Sequence, residues 1–325
     1  MSHTSPSPLA AVACAFNPCD YIRPRENFRV FRQHFHGCPL RTGELSFTGV
    51  FQLSTDWQVA VDSRYLLWQK EALLNALISQ LPHEIRYVAW IDGDLLFANP
   101  DWADEAVDQL TRWPVVQLFE HIEYFNAQGR RERRVPGVVA AWKQTGRWLG
   151  APGGAWAARR EVWEALQLFP YMIVGGGDSL WAAAITQADY DLPPLSAALA
   201  AAVTSWRLRA QQAVQGEVGY VTGTVRHLYH GERPQRQYRR RHQLLVTHAF
   251  DPWRDVTHDH QGLLYWRAHN PILRAAVRQY FFSRREDGPL APSAVGALKA
   301  PSRLGLPAIQ EDNDVEKRSN LATSR

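Results

Sequence analysis

Three cysteines in 325 residues are too few for a disulfide framework. Cys14, Cys19 and Cys38 are odd in number and lack paired zinc spacing, which predicts a reducing, cytoplasmic setting. His34, His36 and Cys38 alternate, but no second cluster follows to complete a metal site. No run approaches the roughly 20 apolar residues that cross a bilayer, so no transmembrane segment is expected. Met1 to Pro8 lacks the basic region of a secretory signal. Neither sign of charge dominates, since 36 basic and 32 acidic residues leave a net charge of +4. No internal repeat is evident.

What remains is ordinary for a soluble globular protein, with 46% hydrophobic and 21% charged residues. The length suffices for one large α/β domain or two smaller ones. Thirteen tryptophans exceed what packing alone requires. Most belong in a core, and some are candidates to stack on a sugar or a base.

The chain reads as alternating strands and helices. Leu9 to Phe16 is a strand that Asn17-Pro18 breaks, and Arg25 to Phe35 carries Phe28, Phe31 and Phe35 at helical spacing. Leu45 to Leu53 alternates as a second strand. Leu66 to Leu81 is a helix with one apolar stripe, stopped by Pro82. Tyr87 to Ile91 is a buried strand, Asn99-Pro100-Asp101 opens a helix to about Leu110, and Pro114 to Glu120 is a further strand. This order predicts an α/β fold with a doubly wound, mostly parallel sheet. Residues 121–150 resist placement. Helices are expected over 159–168, 179–187, 195–203, 206–214 and 234–246, a strand over 220–229, and a last helix over 262–282, interrupted at Pro271. From Arg284 the composition loses periodicity, which predicts a disordered tail.

At the end of the Tyr87–Ile91 strand stands Asp92-Gly93-Asp94. Carboxylates there face the crevice where open α/β sheets bind ligands. Two neighbouring carboxylates repel each other unless a cation lies beside them, and a hard divalent ion that also holds phosphate is the natural guest. The bland alternative is an acidic turn.

Ile91-Asp92-Gly93-Asp94 resembles the Asp-x-Asp motif of GT-A fold glycosyltransferases. Ala13 to Asp20 looks like their first strand and base-binding loop, which puts Asn17 among the nucleotide contacts. Gly153-Gly154-Ala155-Trp156, a helix and Gly175-Gly176-Gly177-Asp178 are similar to the family's Gly-Gly segment and Gly-x-Asp turn. His227-Leu228-Tyr229-His230-Gly231 sits where several members place a late metal-binding histidine. The resemblance spans about residues 9–245 and is closest to family 2-like and galactosyltransferase-like members.

The resemblance implies a hexosyl transfer from a nucleoside-diphosphate sugar, UDP-linked, to a glycan or small-molecule acceptor, with Mn2+ or Mg2+ as cofactor. Residues 1–250 would form the catalytic domain, divided into a nucleotide-sugar half (9–120) and an acceptor half (121–250). A helical extension (251–283) and the tail (284–325) would follow. Asp94 and Asp92 are the expected metal ligands with a histidine, Asp92 lying toward the ribose or a metal-bound water. If 227–230 is extended, His227 and His230 face opposite sides, and His230 is the one chosen for the metal. Asp178 is the expected general base; its alternative is a helix N-cap with no other task. Where family members carry Glu-Asp this chain has Gly177-Asp178, so the Glu of that pattern is missing. Lys70, Gly154, Trp156 and Arg239 complete the donor contacts. Lys70 and Asn75 diverge by about 140° on a helix, so at most one of them serves.

Arg226, Arg233, Arg236, Arg239, Arg240 and Arg241, with Tyr229 and Tyr238 interleaved, form a basic segment that Arg130 to Arg134 would extend. A solvated face with one arginine on the donor diphosphate explains it. Two alternatives use it otherwise: the same chemistry on a modified DNA base flipped out of its duplex, or a non-catalytic nucleic-acid-binding protein. A nucleotidyltransferase is disfavoured because Asn17-Pro18-Cys19 stands where its glycine-rich loop would lie.

Overall fold

Alternation along the strands builds the molecule in layers. In Tyr87–Ile91, Val88 and Trp90 enter one apolar cluster while Ala89 and Ile91 enter another. Successive strand side chains point to opposite faces, so a strand that is apolar at both parities must be covered on both sides. Each fully buried Val, Leu or Ile contributes about 1.5–3 kcal/mol.

The computed structural model describes residues 7–188, 192–238 and 240–288. In chain order the elements are β1 (Leu9–Phe16), α1 (Ile22–His34), β2 (Leu40–Ser46), β3 (Trp57–Ala60), α2 (Lys70–Ser79), β4 (Tyr87–Ile91) and β5 (Leu95–Phe97). Next come α3 (Trp102–Arg112), β6 (Val115–Gln117), β7 (His121–Phe125), β8 (Arg131–Pro136), α4 (Val138–Thr145), β9 (Ala155–Arg159) and α5 (Arg160–Leu166). The remainder is α6 (Gly177–Thr186), α7 (Ala197–Val214), β10 (Val218–Tyr220), β11 (Thr224–His227), α8 (Arg240–Thr247), α9 (Pro252–Asp255), β12 (Val256–His258), β13 (Leu264–Trp266) and α10 (Pro271–Ser283).

A seven-stranded sheet runs β10-β6-β9-β4-β1-β2-β3, and β9 alone in it is antiparallel to its neighbours. This is the mostly parallel, helix-flanked α/β sheet expected. Helices α1 and α3 cover one face, contributing Phe28, Phe31, Trp102 and Leu110. Helices α2, α5, α6, α7 and α10 cover the other through Leu74, Leu77, Trp163, Trp181, Trp206 and Phe281. A second, four-stranded sheet runs β5-β11-β7-β8. Because β4 lies in the large sheet and β5 in the small one, Asp92-Gly93-Asp94 is the corner that joins them. A short hairpin, β12–β13, completes the strands among the described residues.

Several elements differ from expectation. The strand expected over 45–53 lies at Leu40–Ser46, and β3 follows it without a helix. Residues 121–150 form the β7–β8 hairpin and α4. The helix expected from Leu66 begins at Lys70, and the two expected over 195–214 are one helix, α7. In 262–282 the first residues pair as β13, and Pro271 opens α10 rather than interrupting it. Proline suits a first helical position, and the Asn270 side chain caps the turn by accepting from Leu273 N. Residues 251–283 add Val256, Leu264, Trp266, Leu273 and Val277 to the same apolar cluster as the large sheet. Arg284–Gly288, at the start of the predicted tail, packs onto that body, whereas 289–325 lie outside the described residues. No described helix is long and apolar enough to cross a membrane.

Candidate functional site

The corner after β4 is held by backbone. Asp92 N donates to Gly154 O at 2.8 Å, and Leu228 N donates to Asp94 O at 2.9 Å. The second bond pins the corner to the exit of β11, which brings the late histidines to it. Glycine is required between the acids because a Cβ on Gly93 would run into the Phe28 ring of α1.

Asp94, His227 and His230 form one group, their ligand atoms all within 4.8 Å of one another. Asp94 Oδ2 lies 3.0 Å from His230 Nε2 and 3.7 Å from His227 Nε2. The imidazoles stack at 5.0 Å between centroids, and the Tyr124 ring lies 4.9 Å beyond His227. The expectation that His227 and His230 face opposite sides fails here. Strand β11 ends at His227, so the alternation does not carry on to His230, and both rings turn to Asp94.

Asp94 Oδ1 is buried and has no hydrogen-bond partner among the described residues. Burial opposes charge on Asp94, yet His227 and His230 hold it well below the usual carboxylate range. Burial drives His227 down to about 4 against the pull of Asp94, so its imidazole is neutral, the form that ligates metal. An anionic oxygen and two imidazole nitrogens, with one carboxylate oxygen unsatisfied, fit a divalent ion. Two imidazoles favour a first-row transition ion over Mg2+. The alternating His34, His36 and Cys38 form no such group among the described residues.

Asp92 goes elsewhere. Its Oδ1 lies 2.6 Å from Lys70 Nζ, which also reaches Asp178 Oδ1 and Oδ2 at 3.0 and 3.1 Å. Asp92 therefore stands apart from the group to which it was assigned as a metal ligand. Burial pushes Asp92 up to about 7 against Lys70, with Asp178 and Asp94 adding to the rise. Burial disfavours the Lys70 charge, but Asp178 and Asp92 outweigh it and hold the ammonium well above its ordinary range. Glu71, next on α2, is buried, and desolvation pushes it up to about 8.

Asp178 is not the helix cap. Gly176 occupies that position with φ 111°, and the Asp178 side chain turns to Lys70. Of its side chain 35% is exposed, against 16% for Lys70. Lys70 joins the site and Asn75 does not, its amide being bonded to Leu168 O.

Other expected donor contacts are structural. The Asn17 side chain closes its own loop, donating to Tyr21 O and accepting from Tyr21 N. Trp156 is 1% exposed, packs against Trp181 and donates Nε1 to Pro152 O, so it offers no platform for a base. Gly154 accepts from Asp92 N and positions the corner. Arg239 lies outside the described residues. The basic segment is not one surface: Arg226 is exposed, Arg236 is half-buried, and Arg241 is buried with Nη1 on Tyr280 OH. Arg131 pairs with Glu123 and Arg133 stacks on Tyr124, both in the small sheet. Sequence reasoning weighed His227 and set it aside for His230, and it overlooked Glu71 and Glu286. Adjacency to Lys70 on one helix could have flagged Glu71, while nothing local marks Glu286.

No protein-family model matches this chain, and no curated protein matches it. Among solved structures it is similar to TarS from S. aureus, with 10% identity over 85% of this chain and 71% of the other, at a TM-score of 0.38. It is similar to glucosyl-3-phosphoglycerate synthase from Mycobacterium tuberculosis, solved with Mn2+, uridine diphosphate and phosphoglyceric acid (15% identity, 73% and 76% coverage, TM-score 0.39). A third similar structure is 4-diphosphocytidyl-2C-methyl-D-erythritol synthase from Anaerococcus prevotii (8% identity, 66% and 86% coverage, TM-score 0.35). Likeness at this level assigns no activity to the chain, and the functional reading rests on the two carboxylate centres.

Proposed function

We propose that this chain is a metal-dependent glycosyltransferase that moves a sugar from a nucleoside-diphosphate sugar, UDP-linked, to an acceptor hydroxyl. The observation that carries the proposal is the Asp94–His227–His230 group, with its unsatisfied buried oxygen, beside the Lys70–Asp92–Asp178 centre. Asp94, His227 and His230 would hold Mn2+. That ion, when bound, neutralises the negative charge that develops on the departing diphosphate.

The chain's own residues divide the rest of the work. Lys70 points Asp178, and the exposed part of Asp178 accepts the proton of the acceptor hydroxyl as the hydroxyl oxygen attacks the sugar. Asp92, held on the other side of Lys70, faces the ribose. Arg236, whose guanidinium reaches His230 O, supplies the diphosphate contact expected of an arginine in this segment. A glycan or small polar molecule is the acceptor that suits the crevice. Nucleic acid is not supported, because burial of Arg241 breaks the row of arginines that a phosphate-tracking surface requires.

Thermal denaturation with a panel of nucleotide-sugars, each with and without Mn2+, tests the reading. A donor at a hundredfold excess over its Kd stabilises the folded chain by about 2.7 kcal/mol. A response to UDP-sugars that requires Mn2+ is expected. No response to any donor overturns the proposal.

A further inference from the structure

The segment after α10 reaches the back of the metal group. Arg284 is buried; its Nε donates to Glu286 Oε1 at 2.7 Å, its Nη1 to Tyr280 OH at 2.9 Å, and its guanidinium lies 4.9 Å over the Trp68 ring. The turn is fastened to the entry of α1. Arg285 N donates to Tyr21 OH at 3.0 Å, and Asp287 Oδ1 accepts from Arg23 N at 2.7 Å. On its inner side it crosses Gly231, where φ is +90° and a Cβ would stand 2.8 Å from Arg285 O and 2.9 Å from Glu286 Cα. Any side chain at 231 would lift the segment away. The glycine that follows His230 is there to let Glu286 approach.

Glu286 is thereby aimed at His230. Its Oε1 lies 4.0 Å from His230 Nδ1, while His230 Nε2 faces Asp94 Oδ2 at 3.0 Å. Both side chains are largely buried, at 13% and 15% exposure. A histidine that ligates through Nε2 must carry its proton on Nδ1, and a carboxylate within ion-pair reach of Nδ1 favours that tautomer and ring orientation electrostatically. We infer that Glu286, charged against Arg284 and carried on the 284–288 segment, is the positioning residue that orients His230 for a divalent metal ion. The inference rests on the metal-site reading above and gives the C-terminal segment a function in that site.

Outer carboxylates of this kind change metal affinity by about 10–100-fold when removed. The test uses the full chain and Mn2+, with calorimetric titration of wild type and Glu286→Gln. It is joined by long-range 1H–15N spectra of the metal-free chain, with His230 assigned from His230→Gln. The expected result is at least about tenfold weaker Mn2+ binding in Glu286→Gln. His230 should carry its proton on Nδ1 in wild type and lose that preference in the variant. Equal Mn2+ affinity in wild type and Glu286→Gln overturns the inference alone, whatever the tautomer. Absence of Mn2+ binding by wild type overturns the metal-site reading with it. If Glu286→Gln fails to fold because Arg284 is left unpaired, Arg284→Met with Glu286→Gln removes the stranded cation and makes the same comparison.

Discussion

Asp92 and Asp94 stand two residues apart on one corner, yet their environments push them in opposite directions. Asp94 faces two imidazoles and is held below the carboxylate range, while half-buried Asp92 shares one ammonium with Asp178 and rises to about 7. The glycine between them makes the division possible, since the backbone turns there from the large sheet into the small one. The sheet corner sends one carboxylate to the two imidazoles and the other to the Lys70 ammonium, which in the proposed reading serve the metal and the proton transfer. Titratable groups whose environments push their pKa values apart mark the acid, base and electrostatic roles of an active site.

The largest effect that would break the comparison is on metal binding. Asp94→Asn is expected to weaken Mn2+ at least about a hundredfold, because it removes the anionic donor from the group, whereas Asp92→Asn changes Mn2+ affinity by only a few-fold. Titration calorimetry on both variants measures this. Comparable losses in the two would show that the acids share one ion and would dissolve the division.

Next in size is the stability of the proton-handling centre. Lys70→Met strands Asp92 and Asp178 without their cation. Removing one partner of a fully buried pair costs about 3–5 kcal/mol, and partial exposure of the two carboxylates reduces this to about 2–3 kcal/mol. Urea denaturation at pH 7 reads the difference, and a loss below about 0.5 kcal/mol, the size of an exposed pair, would demote the centre to a surface interaction.

A pH dependence follows from Glu71. Its folded-state pKa of about 8 lies above the ordinary 4.5, so above pH 4.5 the folded chain keeps a proton that the unfolded chain has released. The stability that Glu71 contributes is complete below pH 4.5 and is lost as pH rises toward 8, with a slope of at most about 1.4 kcal/mol per pH unit. Glu71→Gln should flatten that part of the curve of melting temperature against pH. An unchanged slope would mean that Lys70 keeps Glu71 ionised.

The smallest effect separates scaffold from site. Asn17→Ala removes the loop closure on Tyr21 and should cost about 1 kcal/mol, with donor binding unchanged within twofold. A loss of nucleotide affinity without loss of stability would return Asn17 to the binding loop.

Strand periodicity and the apolar runs were sufficient to anticipate β1, β4 and the mostly parallel sheet, because local residue pattern and burial on both faces coincide there. Asp94, Asp178 and Lys70 could be singled out as candidates because their types and order point to one chemistry. Trp156 was misread because an aromatic beside a glycine turn looks the same in sequence whether it faces a crevice or a core. Residues 121–150 were opaque because the β7–β8 hairpin is polar at most positions and is held by pairing with β11, over eighty residues distant in sequence.

By itself, the sequence determined which residues can bear charge, bind metal or take up a proton, and in what order they occur along the chain. Only the tertiary structure decided which of them meet. The Leu228–Asp94 backbone bond turned both histidines onto one carboxylate, and Lys70 drew Asp92 away from it. The close passage of 284–288 over Gly231 brought Glu286 behind His230. These contacts join residues far apart in the chain, and no local periodicity encodes them. They arise where burial of the apolar faces leaves polar groups no partner but one another.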